Sequence, residues 1–284
     1  MAKDFINRVA LYIKNKRLLS FFCAVKRIIY EKFVKPDLVY APNGWKTKLS
    51  NGKIIGWNAP SVVNSQRVEW EAFINNLKRT GHLGFNYGHT DLSENRNVSF
   101  HNAHITYGYV LVLAAHLKKC ISILDYGGGL GHYYQIAKTL LPDVVFEFHC
   151  KEVPSIAEAG KLLNPEILWH IDDTCLERTY DLVMIDGSLQ YMENWEEVLQ
   201  KVSTAVGGYL LLTSVPVVEN ADSFVAIQKA YDTRMLHWQF NKHALLQVIR
   251  NTGLSLMREF VIGEHPYIKN APEQCEMCGW LFKR

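Results

Sequence analysis

Residues 121–131 read Ile-Ser-Ile-Leu-Asp-Tyr-Gly-Gly-Gly-Leu-Gly. An apolar run enters an aspartate and then meets glycines at every second position. Glycine allows a sharp turn and a close approach of ligand to backbone, so a strand, a glycine turn and a helix form a nucleotide-binding corner. The spacing bears on which nucleotide. A dinucleotide site needs G-x-G-x-x-G/A. Counted from Gly127, the small residue would fall at position 132, which holds His132, with Tyr133 and Tyr134 behind it. The pattern present is Asp125-x-Gly127-x-Gly129-x-Gly131. An acid at this strand end repels a pyrophosphate and tolerates a cationic ligand. Further acids, Glu152, Asp172, Asp173 and Asp186, follow later apolar runs. For proton transfer the chain offers His89, His101, His104 and His132, imidazole being the side chain that titrates at about 6.5.

These residues need elements to hold them, and the chain downstream alternates as an α/β domain does. Helical spacing predicts helices over 133–141, 155–163, 195–206 and 243–251, the first stopping before Pro142 and the third broken by Gly207-Gly208. Apolar runs predict strands over 144–151, 167–171, 180–185 and 209–215, and residues 254–262 and 278–282 read as a closing antiparallel pair. Upstream, residues 67–78 and 105–117 read as helices. Ligands in open parallel sheets bind outside the carboxyl ends of the strands, where the acids fall.

The Asp-x-Gly-x-Gly-x-Gly segment resembles motif I of class I S-adenosylmethionine-dependent methyltransferases. The stretch Asp181-Leu182-Val183-Met184-Ile185-Asp186-Gly187-Ser188-Leu189-Gln190-Tyr191, with the Leu-Asp-x-Gly-Gly-x-Leu-Gly-x-x-Tyr pattern over 124–134, resembles a bacterial branch of methyltransferases encoded among surface-polysaccharide and lipopolysaccharide genes. The resemblance spans residues 95–284. It implies a Rossmann-like α/β fold, a seven-stranded mostly parallel sheet with helices on both faces, whose last strand inserts between the fifth and sixth. It implies S-adenosylmethionine as cofactor, held at Asp125, Gly127, Gly129 and Gly131. Glu152 then accepts both ribose hydroxyls, two acceptor oxygens suiting a diol; Glu147 is the alternative, inside the strand. Asp172 or Asp173 accepts from the adenine amino group or caps the next helix. Asp186 contacts cofactor or acceptor. Gln190 and Tyr191 orient the acceptor or pack the following helix. A hydroxyl acceptor must lose its proton as it attacks, and His104 and His101 rank first as the base because they precede the helix entering the turn.

The expected activity is O-methylation of a sugar in a surface glycan or its lipid-linked precursor. The alternatives are a small-molecule N- or O-methyltransferase unconnected with glycans, and a silent cofactor-binding scaffold. Composition agrees with one large α/β unit: 284 residues, 48% hydrophobic and 12% aromatic. Three regions emerge: a basic helical extension over 1–37, an acceptor-binding or lid region over 38–104, and a cofactor domain over 105–284.

The extension carries nine Lys and Arg against three acids, whereas the remainder carries 22 against 25. Leu11, Leu18, Phe22, Val25, Ile29 and Phe33 line one helical face there. Such a helix lies on an anionic membrane surface, over residues 1–35, or packs its apolar stripe on the main domain or on a second subunit. The expected location is cytoplasmic, at most peripheral at the inner membrane face. No nucleic-acid recognition motif accompanies the charge. Six scattered cysteines fit a reduced compartment. Cys275-x-x-Cys278 lacks a second pair to complete a zinc site, and no metal is expected.

Overall fold

A computed structural model of the protein describes residues 37–47, 56–85 and 97–284. The basic segment 1–36, His89 and most of the polar stretch 81–100 lie outside the described residues. In chain order the strands are β1 (Leu38–Tyr40), β2 (Cys120–Tyr126), β3 (Val145–Lys151), β4 (Leu168–His170), β5 (Tyr180–Asp186), β6 (Val206–Val218), β7 (Phe224–Ala230), β8 (Thr233–Asn241), β9 (Ser255–Val261), β10 (Ile268–Lys269) and β11 (Glu276–Lys283). The α-helices are α1 (Pro60–Val68), α2 (Trp70–Leu77), α3 (Val98–Ala115), α4 (His132–Leu140), α5 (Pro154–Leu163), α6 (Trp195–Thr204) and α7 (Lys242–Asn251).

Seven strands form the central sheet in the order β4-β3-β2-β5-β6-β11-β9. All run parallel except β11, which is antiparallel to both β6 and β9. The last strand therefore inserts where the class I methyltransferase fold requires it. Side chains alternate between two cores, as a sheet covered on both faces demands. Ile121 and Ile123 of β2 and Leu182 and Met184 of β5 pack under α3, α4 and α5. Leu124, Val183 and Ile185 pack on the other face, under α6 and α7. Strand order reverses between β3-β2 and β5, so a crevice opens at the carboxyl ends of β2 and β5.

A wing extends this sheet. Strands β10-β1-β7-β8 form it, and it joins β6 through Val217↔Phe240 and Val218↔Asn241. The strands expected from the sequence include none within 216–242. The hairpin turn between β7 and β8 is Tyr231-Asp232, with φ of 52° and 58°. That geometry normally announces itself by Asn-Gly or Asp-Gly, and neither is present.

Two helix boundaries also differ from expectation. The helix expected over 67–78 is split at Glu69 into α1 and α2. The helix expected from 105 starts at Val98, because the Asn97 side chain accepts from the Ser99 and Phe100 N–H groups at 2.9 and 3.2 Å. His101 and His104 thus lie within the first two turns of α3, not ahead of it, and the 104/105 boundary falls inside that helix. No helix among the described residues is long and apolar enough to cross a membrane.

Candidate active site

The turn after β2 is built from backbone that side chains disfavour. Gly127, Gly129 and Gly131 have φ of 86°, 58° and 84°. The Gly127 N–H donates to the Lys151 carbonyl at 2.8 Å, tying the turn to the end of β3. A Cβ on Gly127 would overlap Cβ of Ser188, and Ser188 cannot swing aside freely because its hydroxyl donates to the Tyr126 carbonyl at 2.8 Å. Gly131 serves as the N-cap of α4. The turn forms one side of a cavity of about 340 Å³ whose wall includes Gly127, Gly129, Glu152, Asp186, His104 and Tyr191.

Three carboxylates converge around this turn. Glu152 follows β3 directly; its Oε1 accepts from the Gly129 N–H at 3.0 Å and its Oε2 from the Val153 N–H at 2.7 Å. Burial pushes it up to about 6 despite those bonds. Asp186 ends β5; its Oδ2 accepts from the Tyr133 hydroxyl at 2.6 Å, while Oδ1 is buried with no hydrogen-bond partner among the described residues. Asp125 is fully buried, and neither of its oxygens has such a partner. Burial first, then the charges of Asp186 and Glu152, hold it well above the usual carboxylate range. It lies behind Gly128, where a Cβ would overlap its carboxyl group, and it does not line the cavity.

The remaining acids stand apart. Asp172 accepts from the Thr174 N–H at 3.1 Å and caps the 3-10 turn Asp173–Glu177. Asp173 accepts from the Tyr126 hydroxyl at 2.7 Å and lies 3.8 Å from Lys151 Nζ. Both are exposed, and neither lines the cavity. Glu147 is gripped by both guanidinium nitrogens of Arg178, at 2.5 and 3.1 Å, away from the cavity wall. Among the described residues no cluster of three His, Cys, Asp or Glu is arranged to hold a metal.

His101 and His104, one helical turn apart on α3, hold one residue, Leu83, by the peptide groups on either side of its Cα. The Leu83 N–H donates to His101 Nδ1 at 3.3 Å, and His104 Nδ1 donates to the Leu83 carbonyl at 2.7 Å. A carbonyl only accepts, so His104 carries its proton on Nδ1 and its Nε2 is left as a proton acceptor. Burial lowers the His104 pKa, partly offset by the Leu83 bond and by the charge of Asp186. His104 lines the cavity; His101 does not. His132, with its ring centroid 6.4 Å from that of His104, also lines the cavity. Burial drives its pKa well below the ordinary value, and His104 lowers it further.

Tyr191 lines the cavity and donates its hydroxyl to Gln228 Oε1 at 2.6 Å. Gln190 instead ties strand ends together, donating to the Gly187 carbonyl at 2.9 Å and the Ser214 carbonyl at 3.4 Å. Sequence reasoning singled out none of Trp57, Gln66, Ser214 and Tyr231. All four line the cavity. The alternation Leu236-x-Trp238-x-Phe240 was the signal that could have marked a strand there and brought Tyr231 forward.

The Glu152 shift has a measurable consequence. Its folded-state value lies above the ordinary 4.5, so its contribution to stability is full below about pH 4.5 and is lost as pH rises through about 6. Relative to Glu152→Gln, the wild type is expected to lose about 1–2 kcal/mol of unfolding free energy across that window. Urea unfolding at several pH values checks this; parallel curves for the two proteins would refute it.

The fold class is therefore the mixed Rossmann-like sheet of class I methyltransferases, defined by its own strand order. No protein-family model matches the chain and no curated protein is similar to it. Among solved structures it is similar to 1,6-didemethyltoxoflavin-N1-methyltransferase from Burkholderia thailandensis, bound to 1,6-didemethyltoxoflavin and S-adenosylhomocysteine, with 13% identity over 64% of this chain and 78% of that one and a TM-score of 0.43. It is also similar to magnesium protoporphyrin IX methyltransferase from Synechocystis PCC 6803, bound to S-adenosylhomocysteine, with 11% identity over 78% and 98% of the two chains and a TM-score of 0.45. A third is the glycopeptide N-methyltransferase MtfA with S-adenosylhomocysteine, with 11% identity over 62% and 87% and a TM-score of 0.44. These likenesses concern chain path alone.

Proposed function

We propose that this protein is an S-adenosylmethionine-dependent methyltransferase that methylates a hydroxyl of a sugar in a surface glycan or its lipid-linked precursor. The observation that carries the cofactor reading is that Glu152 and Asp186 line the cavity on either side of one glycine turn, with Asp125 buried behind it. An anionic pyrophosphate would meet carboxylates there, whereas a ligand bearing an ammonium and a sulfonium is attracted. Among the described residues of the wall the one ammonium is Lys151, and it already lies 3.3 Å from the Tyr126 hydroxyl and near Asp173. The residues present thus fit the group.

Gly127 and Gly129 would offer bare backbone to the cofactor, and Glu152 would accept from its ribose hydroxyls. Asp186 Oδ1, buried with no partner among the described residues, would accept from its ammonium. When bound, the cofactor would supply an activated methyl group with a neutral sulfide as its leaving group. The protein's part is to hold the acceptor oxygen in line and to remove its proton. His104 Nε2 takes that proton, with Nδ1–H anchored on Leu83. The sugar acceptor is supported by the likeness of 181–191 to the polysaccharide-associated branch and by the aromatic rings in the cavity wall.

Calorimetric titration tests the cofactor reading. S-adenosylhomocysteine should bind and NAD should not; uptake of NAD alone would overturn it. Labelled S-adenosylmethionine with a panel of glycan acceptors then separates an enzyme from a silent binder.

A further inference from the structure

Part of the cavity wall comes from outside the seven-stranded core. Trp57 lies in the segment before α1, Gln66 on α1, and Tyr231 in the wing's β7–β8 turn; Tyr191 follows β5. The Trp57 ring meets Tyr191 edge to face at 4.9 Å and 78°, and its centroid is 5.7 Å from that of Tyr231. All three residues are half-buried and line the cavity.

Two polar atoms in this group have no hydrogen-bond partner among the described residues: Trp57 Nε1, a donor, and Gln66 Oε1, an acceptor. Gln66 is only 5% exposed, and a buried polar group left unmatched is costly. The rings are also pre-positioned. The Gly56 N–H donates to the Arg234 carbonyl at 3.4 Å, and Asn58 Oδ1 accepts from the Ser155 N–H at 3.1 Å, so Trp57 is strapped between the wing and α5. Tyr231 holds a left-handed backbone, φ 52°, that a bulky side chain resists.

We propose that Trp57, Gln66, Tyr191 and Tyr231 form a subsite for an uncharged, polyhydroxylated ring. The ring's C–H face lies on the aromatic side chains. One hydroxyl accepts from Trp57 Nε1 and another donates to Gln66 Oε1. A bare aromatic ring would leave both polar atoms unpaired. An anionic ring would meet Glu152 and Asp186 in the same cavity, with Lys151 already engaged. That this ring is the methyl acceptor rests on the methyltransferase reading; that the site binds such a ring does not.

Saturation-transfer NMR on the full chain tests it, with and without S-adenosylhomocysteine. The probes are the methyl glycosides of glucose, galactose and mannose, the corresponding uronic acid glycosides, and phenol. At least one neutral pyranoside should receive saturation at its ring C–H hydrogens, and the uronates and phenol should bind more weakly. Trp57→Phe, which keeps a ring and loses the N–H, and Gln66→Leu, close to Gln in volume, should each weaken pyranoside binding about tenfold. Both should leave S-adenosylhomocysteine affinity unchanged. The proposal is overturned by absent pyranoside binding, by uronates or phenol binding as well, or by unaffected variants. Loss of the cofactor result alone sinks the methyltransferase reading and leaves the subsite standing.

Discussion

Replacing His104 with alanine is expected to lower methyl-transfer turnover by about 10²–10⁴-fold, the usual worth of a positioned general base. The reason lies in one tautomer. The Leu83 carbonyl accepts from Nδ1–H at 2.7 Å, leaving Nε2 basic in a residue that lines the cavity. Burial lowers the pKa from the ordinary 6.5, so the imidazole is neutral at pH 7 and the acid limb of the kcat/KM profile should fall below 6.5. His101→Ala should cost less, about tenfold, because His101 only receives the Leu83 N–H at 3.3 Å and steadies the partner of the base. S-adenosylhomocysteine titration should give wild-type affinity for both variants. A His104→Ala enzyme with full turnover would remove His104 from the mechanism.

Gly127→Ala should act on the other half of the site. The new Cβ would overlap Ser188, which its own hydrogen bond to Tyr126 holds in place. The backbone at φ 86° adds a further penalty for any L side chain. Together these should cost about 2–4 kcal/mol of stability and lower the melting temperature by roughly 5 °C or more. Because the turn carries Gly129, whose N–H donates to Glu152 at 3.0 Å, its displacement also shifts the proposed ribose ligand. S-adenosylhomocysteine affinity should fall by about a hundredfold, or about 2.7 kcal/mol. Thermal melting and calorimetry check the two effects separately; native values in both would show that the turn tolerates a side chain.

The amino-acid sequence by itself determined the parts whose physics is local. Strand β2, its glycine turn and α4 follow from an apolar run, residues without Cβ and helical spacing, all within some 20 contiguous positions. The acids Glu152 and Asp186 were legible because a strand's carboxyl end is where an apolar run stops. Even the insertion of β11 was accessible, through the resemblance carried by motif I. Distant packing decided the rest. The wing depends on Tyr231 and Asp232 holding left-handed backbone without glycine, which no turn signal announces. Asp125 stands behind Gly128 and Asp172 caps a 3-10 turn, roles that spacing cannot separate from ligand contact. His101 and His104 differ because Leu83, about 20 positions away in the chain, offers an N–H to one and a carbonyl to the other. A side chain's chemistry is set by the atoms it meets, and those come from segments whose separation along the chain says nothing of their distance in space.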